Sequence, residues 1–272
     1  MSRMERPTSI ALLGATGKTG REVLRGLLKS TIAELNIYAR SSEKLLKMFP
    51  TLRSDSRVNL HIGSIHDEEL IKRCLSDAQV IICTTGSNGM SPSTIIQDSA
   101  SAISAALQSL KRSANSWQPP RVLLLSSSTK NERLAAARPR FVHWMITTAF
   151  RMGYVDLDAA QAILSQDPSL LSLLSVQPNV LVEEPGSGFE FSSDSVKLGC
   201  SYEDLGASFV QLALNTEYKE LSRIGVSSKE GDRGIVYAPI ILFRISRGFF
   251  VNYFPLGVHL NRLFERAMPQ FA

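Results

Sequence analysis

Ile10-Ala-Leu-Leu13-Gly14-Ala-Thr16-Gly17-Lys18-Thr19-Gly20 joins a short apolar run to a glycine-spaced turn. A helical pattern follows at once, with Val23, Leu24, Leu27 and Leu28 on one side. Each glycine answers a geometric need. Gly14 permits a tight bend, Gly17 lets the main chain approach a pyrophosphate with no Cβ in the way, and Gly20 allows the helix to pack close to the strand. Amides at the helix start, around Thr16, Lys18 and Thr19, then point at an anion. Such a glycine pattern gains its meaning from the strand before it and the helix after it. It predicts a dinucleotide-binding strand–helix–strand unit.

Working outward, strands and helices alternate. Leu35–Ala39, Val58–Ile62, Ala78–Cys83 and Arg121–Leu125 read as strands; Ser42–Phe49, Glu68–Leu75 and Thr94–Leu110 read as helices. Val122-Leu-Leu-Leu125 suits a strand buried on both faces. This order calls for a parallel sheet with right-handed crossovers: an α/β fold, Rossmann-type and doubly wound, with helices on both faces. Further on, Arg140–Tyr154 reads as an aromatic-rich helix, Asp156–Leu164 as its continuation or a new one, and Leu173–Val182 as a sixth strand. Tyr202–Leu214 reads as a helix with Glu203 and Asp204 in its first turn, where the dipole favours acids. Ile224–Ser227 is a last short strand.

The tail from Gly234 gathers Ile240, Leu242, Phe243, Phe249, Phe250, Tyr253 and Phe254, interrupted by Pro239, Arg244, Arg247, Asn252 and Pro255. No uninterrupted apolar run approaches the roughly 18 residues of a membrane span. The expected organisation is a nucleotide-binding domain over 1–233 and a small hydrophobic extension over 234–272. That extension is expected to pack on the core, over a substrate pocket, or at an interface between copies.

Composition narrows the class. Of 272 residues 44% are hydrophobic, and the formal net charge is +5 with no basic block. Neither zinc-finger spacing nor an aromatic RNA-binding signature is present, so nucleic acid is not expected as a partner. Cys74, Cys83 and Cys200 are odd in number and lack metal spacing, which suits a reducing compartment; no metal is expected. Met1 to Ser9 is polar, and Ile10–Leu13 is too short for a signal-peptide core. The expectation is a cytoplasmic monomer or homodimer, with a membrane surface disfavoured.

The second strand ends in Ala39 and is followed by Arg40-Ser41. NAD-selective sites place an acid there for the ribose 2′-OH, whereas an arginine pairs with a 2′-phosphate. Lys18 and Lys44 could add charge. The expected cofactor is therefore NADP(H).

With Gly14-Ala-Thr-Gly17-Lys-Thr-Gly20, Arg40-Ser41 and Leu125-Ser126-Ser127 in place, the chain resembles the atypical short-chain dehydrogenases/reductases. More narrowly, it is similar to their NAD(P)H-binding NmrA-like and flavin-reductase-like branch, fungal secondary-metabolism members included. Val176-Gln-Pro-Asn-Val180 stands where that branch usually has an Arg-Pro or Pro-Pro segment beside the nicotinamide, and Tyr202-Glu-Asp-Leu205 resembles its short acidic motif. The resemblance implies that Gly63-Ser64-Ile65 lies near the adenine. It implies that Thr84-Thr85-Gly86 flanks the nicotinamide ribose, and that Ser126 and Ser127 lie beside the nicotinamide. Members often carry Asp where Ser64 stands and arginine where Gln177 stands.

Typical short-chain dehydrogenases use Tyr-x-x-x-Lys, the lysine easing proton loss from the tyrosine. That pair is absent: Tyr154 is followed at plus four by Asp158. Ser126, Ser127, Lys130, Tyr154, His143 or solvent could supply the proton instead. Three functions stay open. One is an NADPH-dependent reductase of a small hydrophobic substrate. Another is a non-redox isomerase or cyclase that retains the cofactor, and the third is a non-enzymatic NADP(H) sensor.

Overall fold

The computed structural model describes residues 9–30, 34–86 and 90–268, so the polar N-terminal segment and the last residues of the tail lie outside it. The chain runs β1 (Ser9–Leu13), α1 (Lys18–Lys29), β2 (Glu34–Ala39), α2 (Ser42–Met48), β3 (Val58–Ile62), α3 (Glu68–Leu75), β4 (Val80–Cys83) and α4 (Ile95–Ser113). It continues through β5 (Arg121–Leu125), α5 (Glu132–Ala135), α6 (Arg140–Ala149), α7 (Arg151–Leu164) and β6 (Ser172–Pro178). The remainder is β7 (Val180–Val182), β8 (Phe189–Ser192), β9 (Gly199–Ser201), α8 (Tyr202–Leu214), β10 (Arg223–Ser228), α9 (Gly234–Tyr253) and α10 (Gly257–Ala267).

Eight strands form one sheet in the order β3-β2-β1-β4-β5-β6-β10-β8. All its pairings are parallel except that of β8 with β10. This is the doubly wound arrangement the sequence calls for. The order reverses between β1 and β4, and the crevice outside the carboxyl ends of those strands is where such sheets bind ligands. One core face packs Leu12, Leu24, Val176 and Phe209 beneath α1 and α8. The other packs Leu13, Ile81, Ile103 and Leu157 beneath α3, α4 and α7. A buried carboxylate ties that second layer together. Asp156 on α7 accepts from Ile96 N (3.1 Å) and Gln97 N (2.8 Å), capping α4 across the interface.

Three sequence expectations need correction. The sixth strand does not run to Val182. Pro178 has no N–H for the ladder, and Asn179 turns the chain by accepting from Arg138 Nη2 (3.1 Å); β7 then leaves the sheet to pair with β9. The aromatic helix ends at Ala149, not Tyr154, because α6 and α7 follow different partners, α9 and α4. Asn252 Nδ2 satisfies the carbonyls freed at that break, those of Thr148 and Ala149 (both 3.1 Å). The tail is not broken up by its polar residues. α9 is continuous through Pro239, and α10 follows. Arg244 turns inward to Leu181 O (3.1 Å), and Gly248 lies so close to α6 that a Cβ there would meet Ala149 O at 2.4 Å.

Candidate active site

Sterics shape the loop between β1 and α1. Gly14 has φ 97°, and a Cβ there would lie 2.7 Å from the carbonyl carbon of Thr84. A Cβ on Gly20 would stand 2.0 Å from Gly14 O. Gly17 N donates to Gly14 O (2.9 Å) and begins the helix, and no side chain caps it. Gly17 is exposed, Thr16 half-buried and Thr19 buried. The first turn of α1 holds no acid, so its amides present a cradle suited to a diphosphate. Lys18 does not add a free charge here, because its Nζ is paired with Glu183 Oε1 at 2.8 Å. The lysine holds the Glu183 carboxyl below the ordinary carboxylate range.

Thr84 is a brace under this loop. It is buried, and both its N (2.9 Å) and Oγ1 (3.1 Å) donate to Leu13 O. Thr85 Oγ1 contacts Cys83 Sγ at 3.2 Å, and Gly86 is exposed. Arg40 is exposed just beyond β2, the strand that pairs with β1, and so flanks the phosphate loop. Ser41 caps α2, accepting from Lys44 N at 3.4 Å. Ser64 is exposed and caps a turn, accepting from His66 N (3.2 Å), while Ile65 is buried. Tyr38 donates from Oη to Gly63 O (3.2 Å), tying the ends of β2 and β3 together.

At the end of β5 the remaining candidates converge. Ser126 is buried, and its Oγ accepts from Gln161 Nε2 of α7 at 2.9 Å. Ser127 Oγ accepts from Thr129 N (3.3 Å), capping a 3₁₀ turn over Ser128–Lys130. Lys130 projects from that turn to Asp158 Oδ2 (2.7 Å), with its Nζ 5.8 Å from the ring centroid of Tyr154. Arg138 is on the same side, bonded to Thr129 Oγ1 (3.0 Å). Burial pulls this guanidinium below its usual range, and charge on Tyr154 pulls it back up. Gln177 accepts from Asn131 Nδ2 at 2.8 Å, so it buttresses the loop as a neutral partner.

The cysteines are poor nucleophiles. Burial pushes the thiols of Cys74 and Cys200 up to about 12 and raises that of Cys83. A separate cleft of about 790 Å³, lined by Trp117, Pro119, Arg121 and Glu220, opens at the opposite ends of the strands and carries none of the motif residues.

A family model described as NAD(P)H-binding matches residues 14–215, from the first loop glycine to the end of α8. The chain belongs to the NAD(P)H-binding family. Among curated relatives, averufin oxidase A of Aspergillus flavus is 35% identical, the match covering 75% of this chain and 76% of that one. Oxidoreductase tpcG of Aspergillus fumigatus is 30% identical over 81% and 84%. A solved short-chain dehydrogenase/reductase of Veillonella parvula in complex with NADP superimposes with a TM-score of 0.61 at 17% identity, over 83% of this chain and 96% of that one. Oxidoreductase ylbE of Lactococcus lactis gives 0.62 at 17%, over 86% and 97%. Both structures share the fold. With the fungal oxidoreductases as relatives, this NAD(P)H-binding protein is an oxidoreductase of that type.

In this family member, sequence reasoning missed Gln161 and Glu183, each remote in the chain from the motif it touches, and Arg138, which meets Thr129 in the turn after β5. Asp158 carried a signal. It appeared as a misplaced acid at plus four from Tyr154, and the structure shows it receiving a lysine from another element.

Proposed function

We propose that the protein is an NADPH-dependent reductase of a small hydrophobic substrate, with Tyr154 supplying the proton. The glycine cradle at α1 accepts a diphosphate, and Arg40, beyond the neighbouring strand, supplies the guanidinium a 2′-phosphate needs. The nicotinamide, when bound, supplies the hydride. The observation that carries the reading is Lys130 over Tyr154. The missing helix lysine is replaced by one from the turn after β5.

The chain's own work is then to hold and release one proton. Tyr154 Oη donates to the substrate oxygen that gains charge. Lys130, fixed by Asp158, and Arg138 stabilise the negative charge left on the phenol oxygen. Ser126 and Ser127 order the strand end beneath this group; Ser126, held by Gln161, keeps its own hydroxyl hydrogen to offer the substrate. The fungal relatives, one of them an averufin oxidase, support a secondary-metabolite substrate.

The test follows NADPH absorbance against a panel of hydrophobic carbonyl compounds and quinones. Substrate-dependent consumption is expected, falling at least ~100-fold in Tyr154→Phe. Turnover with no net NADPH change would instead establish the isomerase or cyclase function. A partner captured only in one cofactor redox state would establish a sensor.

A further inference from the structure

We propose that the outward face of α6 and α9 docks on an anionic lipid bilayer, lying in its interface. α9 is long and apolar enough to cross a membrane by length and composition, yet little of it is buried. It is nonetheless fixed to the protein along one side. Tyr237 Oη donates to Glu184 (3.0 Å), Arg244 to Leu181 O (3.1 Å), Arg247 to Glu265 (2.7 Å) and Asn252 to Ala149 O (3.1 Å). Every polar anchor of the helix therefore points inward. Spanning a bilayer would strip all four from their partners, whereas lying flat strips none.

The opposite side is apolar and continuous with α6. Phe141 stacks on Trp144 (5.8 Å between centroids), Trp144 meets Phe249 (5.8 Å), and Phe249 stacks on Tyr253 (5.9 Å). Phe141 is 66% exposed, Leu242 61% and Tyr253 65%. Scattered exposed apolar residues mean nothing alone, but a contiguous ladder of rings marks an interaction face.

Charge selects the occupant. From Arg138 to Val155 the chain holds Arg138, Arg140 and Arg151 and no acid. From Gly234 onward it holds four arginines and His259 against a single acid, Glu265, which Arg247 binds. Arg140, Arg151, Arg262 and Arg266 are exposed. Aromatic rings bordered by arginine match the headgroup region of an anionic membrane, where each cation contributes about 1 kcal/mol. A second copy of the chain would set one basic rim against another.

The test is co-sedimentation with vesicles of phosphatidylcholine alone or mixed with phosphatidylserine. The full chain is expected to sediment with the mixed vesicles and to lose this in high salt. Arg140→Gln with Arg151→Gln should weaken partition roughly 25-fold, two residues at about fivefold each. Leu242→Glu with Tyr253→Glu, both at exposed positions, should abolish it while NADPH affinity is unchanged. If that second variant fails to bind NADPH, the arginine pair decides alone. Recovery in the supernatant with the mixed vesicles overturns the proposal. So does a dimer, seen by light scattering, that Leu242→Glu dissolves.

Discussion

Lys130 bonds Asp158 at 2.7 Å while its ammonium lies 5.8 Å from the ring centre of Tyr154. Two residues of α7, one turn apart, thus share a lysine that comes from the turn after β5. If Lys130 stabilises charge developing on the phenol, Lys130→Gln should lower kcat by about tenfold or more, equivalent to ~1.4 kcal/mol. Lys130→Arg should restore part of it. Asp158→Asn should act in the same direction but less, since it frees the lysine without removing its charge. NADPH affinity should not change in any of them. A kcat that is indifferent to residue 130 would leave Tyr154 without its electrostatic support.

Arg40 sets the second prediction. It is exposed beyond β2, and its neighbour Ser41 is occupied in capping α2. Arg40→Ala should weaken NADPH by about 2 kcal/mol, roughly thirtyfold, and leave NADH almost unaffected. Calorimetric titration of both cofactors against both proteins checks this. Equal NADPH affinity in the two would remove Arg40 from the site.

The glycines separate folding from binding. A Cβ on Gly20 would clash at 2.0 Å with Gly14 O, a backbone atom that cannot swing aside. Gly20→Ala should therefore cost roughly 3 kcal/mol of stability and abolish cofactor binding. At Gly17 the added Cβ meets the same oxygen at 3.3 Å, so only a few tenths of an ångström must give. Gly17→Ala should unfold at nearly the wild-type urea concentration yet bind NADPH at least ~10-fold more weakly, because the methyl group occupies the approach to the amides. Denaturation and titration on the same two samples distinguish the roles.

The first half of the fold was legible because its signals are local. Val58–Ile62, Glu68–Leu75 and Arg121–Leu125 begin and end where hydrophobic periodicity places them, and Asp67 caps α3 by accepting from Leu70 N (2.9 Å). The phosphate loop was legible for the same reason, since its glycines act within one turn. What escaped depends on distant partners. Phe189–Ser192 becomes a strand only because β10 offers it an edge, and Phe150 breaks its helix only because α6 and α7 pack on different neighbours. Lys130 was legible as a candidate proton source, but its meeting with Tyr154 was not, because the chain separates the two by 24 positions. Arg244 and Arg247 looked like interruptions because nothing local says they turn inward.

His61 supplies a pH dependence. It lies on β3, where Nε2 donates to Asn36 Oδ1 (3.2 Å), and burial, assisted by Arg73, holds its imidazole below the usual range. The folded protein then takes up this proton at lower pH than the unfolded chain does. The stability associated with the neutral ring is complete above the unfolded value of about 6.5 and is lost as pH falls through the folded value. His61→Gln should flatten the decline in urea midpoint between pH 7.5 and pH 5 relative to wild type. Parallel declines in both proteins would show that His61 does not contribute.

Glu265 links the C-terminal helices to the crevice. Its Oε1 accepts from Arg247 Nη2 (2.7 Å), Asn261 Nδ2 (2.8 Å) and Met90 N (3.0 Å), and Met90 stands in the segment between β4 and α4. The Arg247 side chain is only 8% exposed, so removing the Glu265 carboxylate takes an ionic partner from a largely desolvated guanidinium, which keeps Asn261 Oδ1 (2.6 Å) and the Phe264 ring (4.9 Å). Because Glu265 itself keeps some solvent contact, Glu265→Ala should cost about 2–3 kcal/mol, somewhat under the loss for a fully buried pair. The phosphate loop is built from other elements, so NADPH affinity should hold. The segment after β4 loses its tether, so KM for a hydrophobic substrate should rise more than kcat falls. Urea denaturation, cofactor titration and steady-state kinetics on Glu265→Ala and Glu265→Gln check the chain of reasoning. The glutamine keeps an acceptor for Met90 and Asn261 but no charge for Arg247, so it should preserve KM better than it preserves stability. A KM that rises equally in both would place the tether in the ion pair instead of the Met90 hydrogen bond.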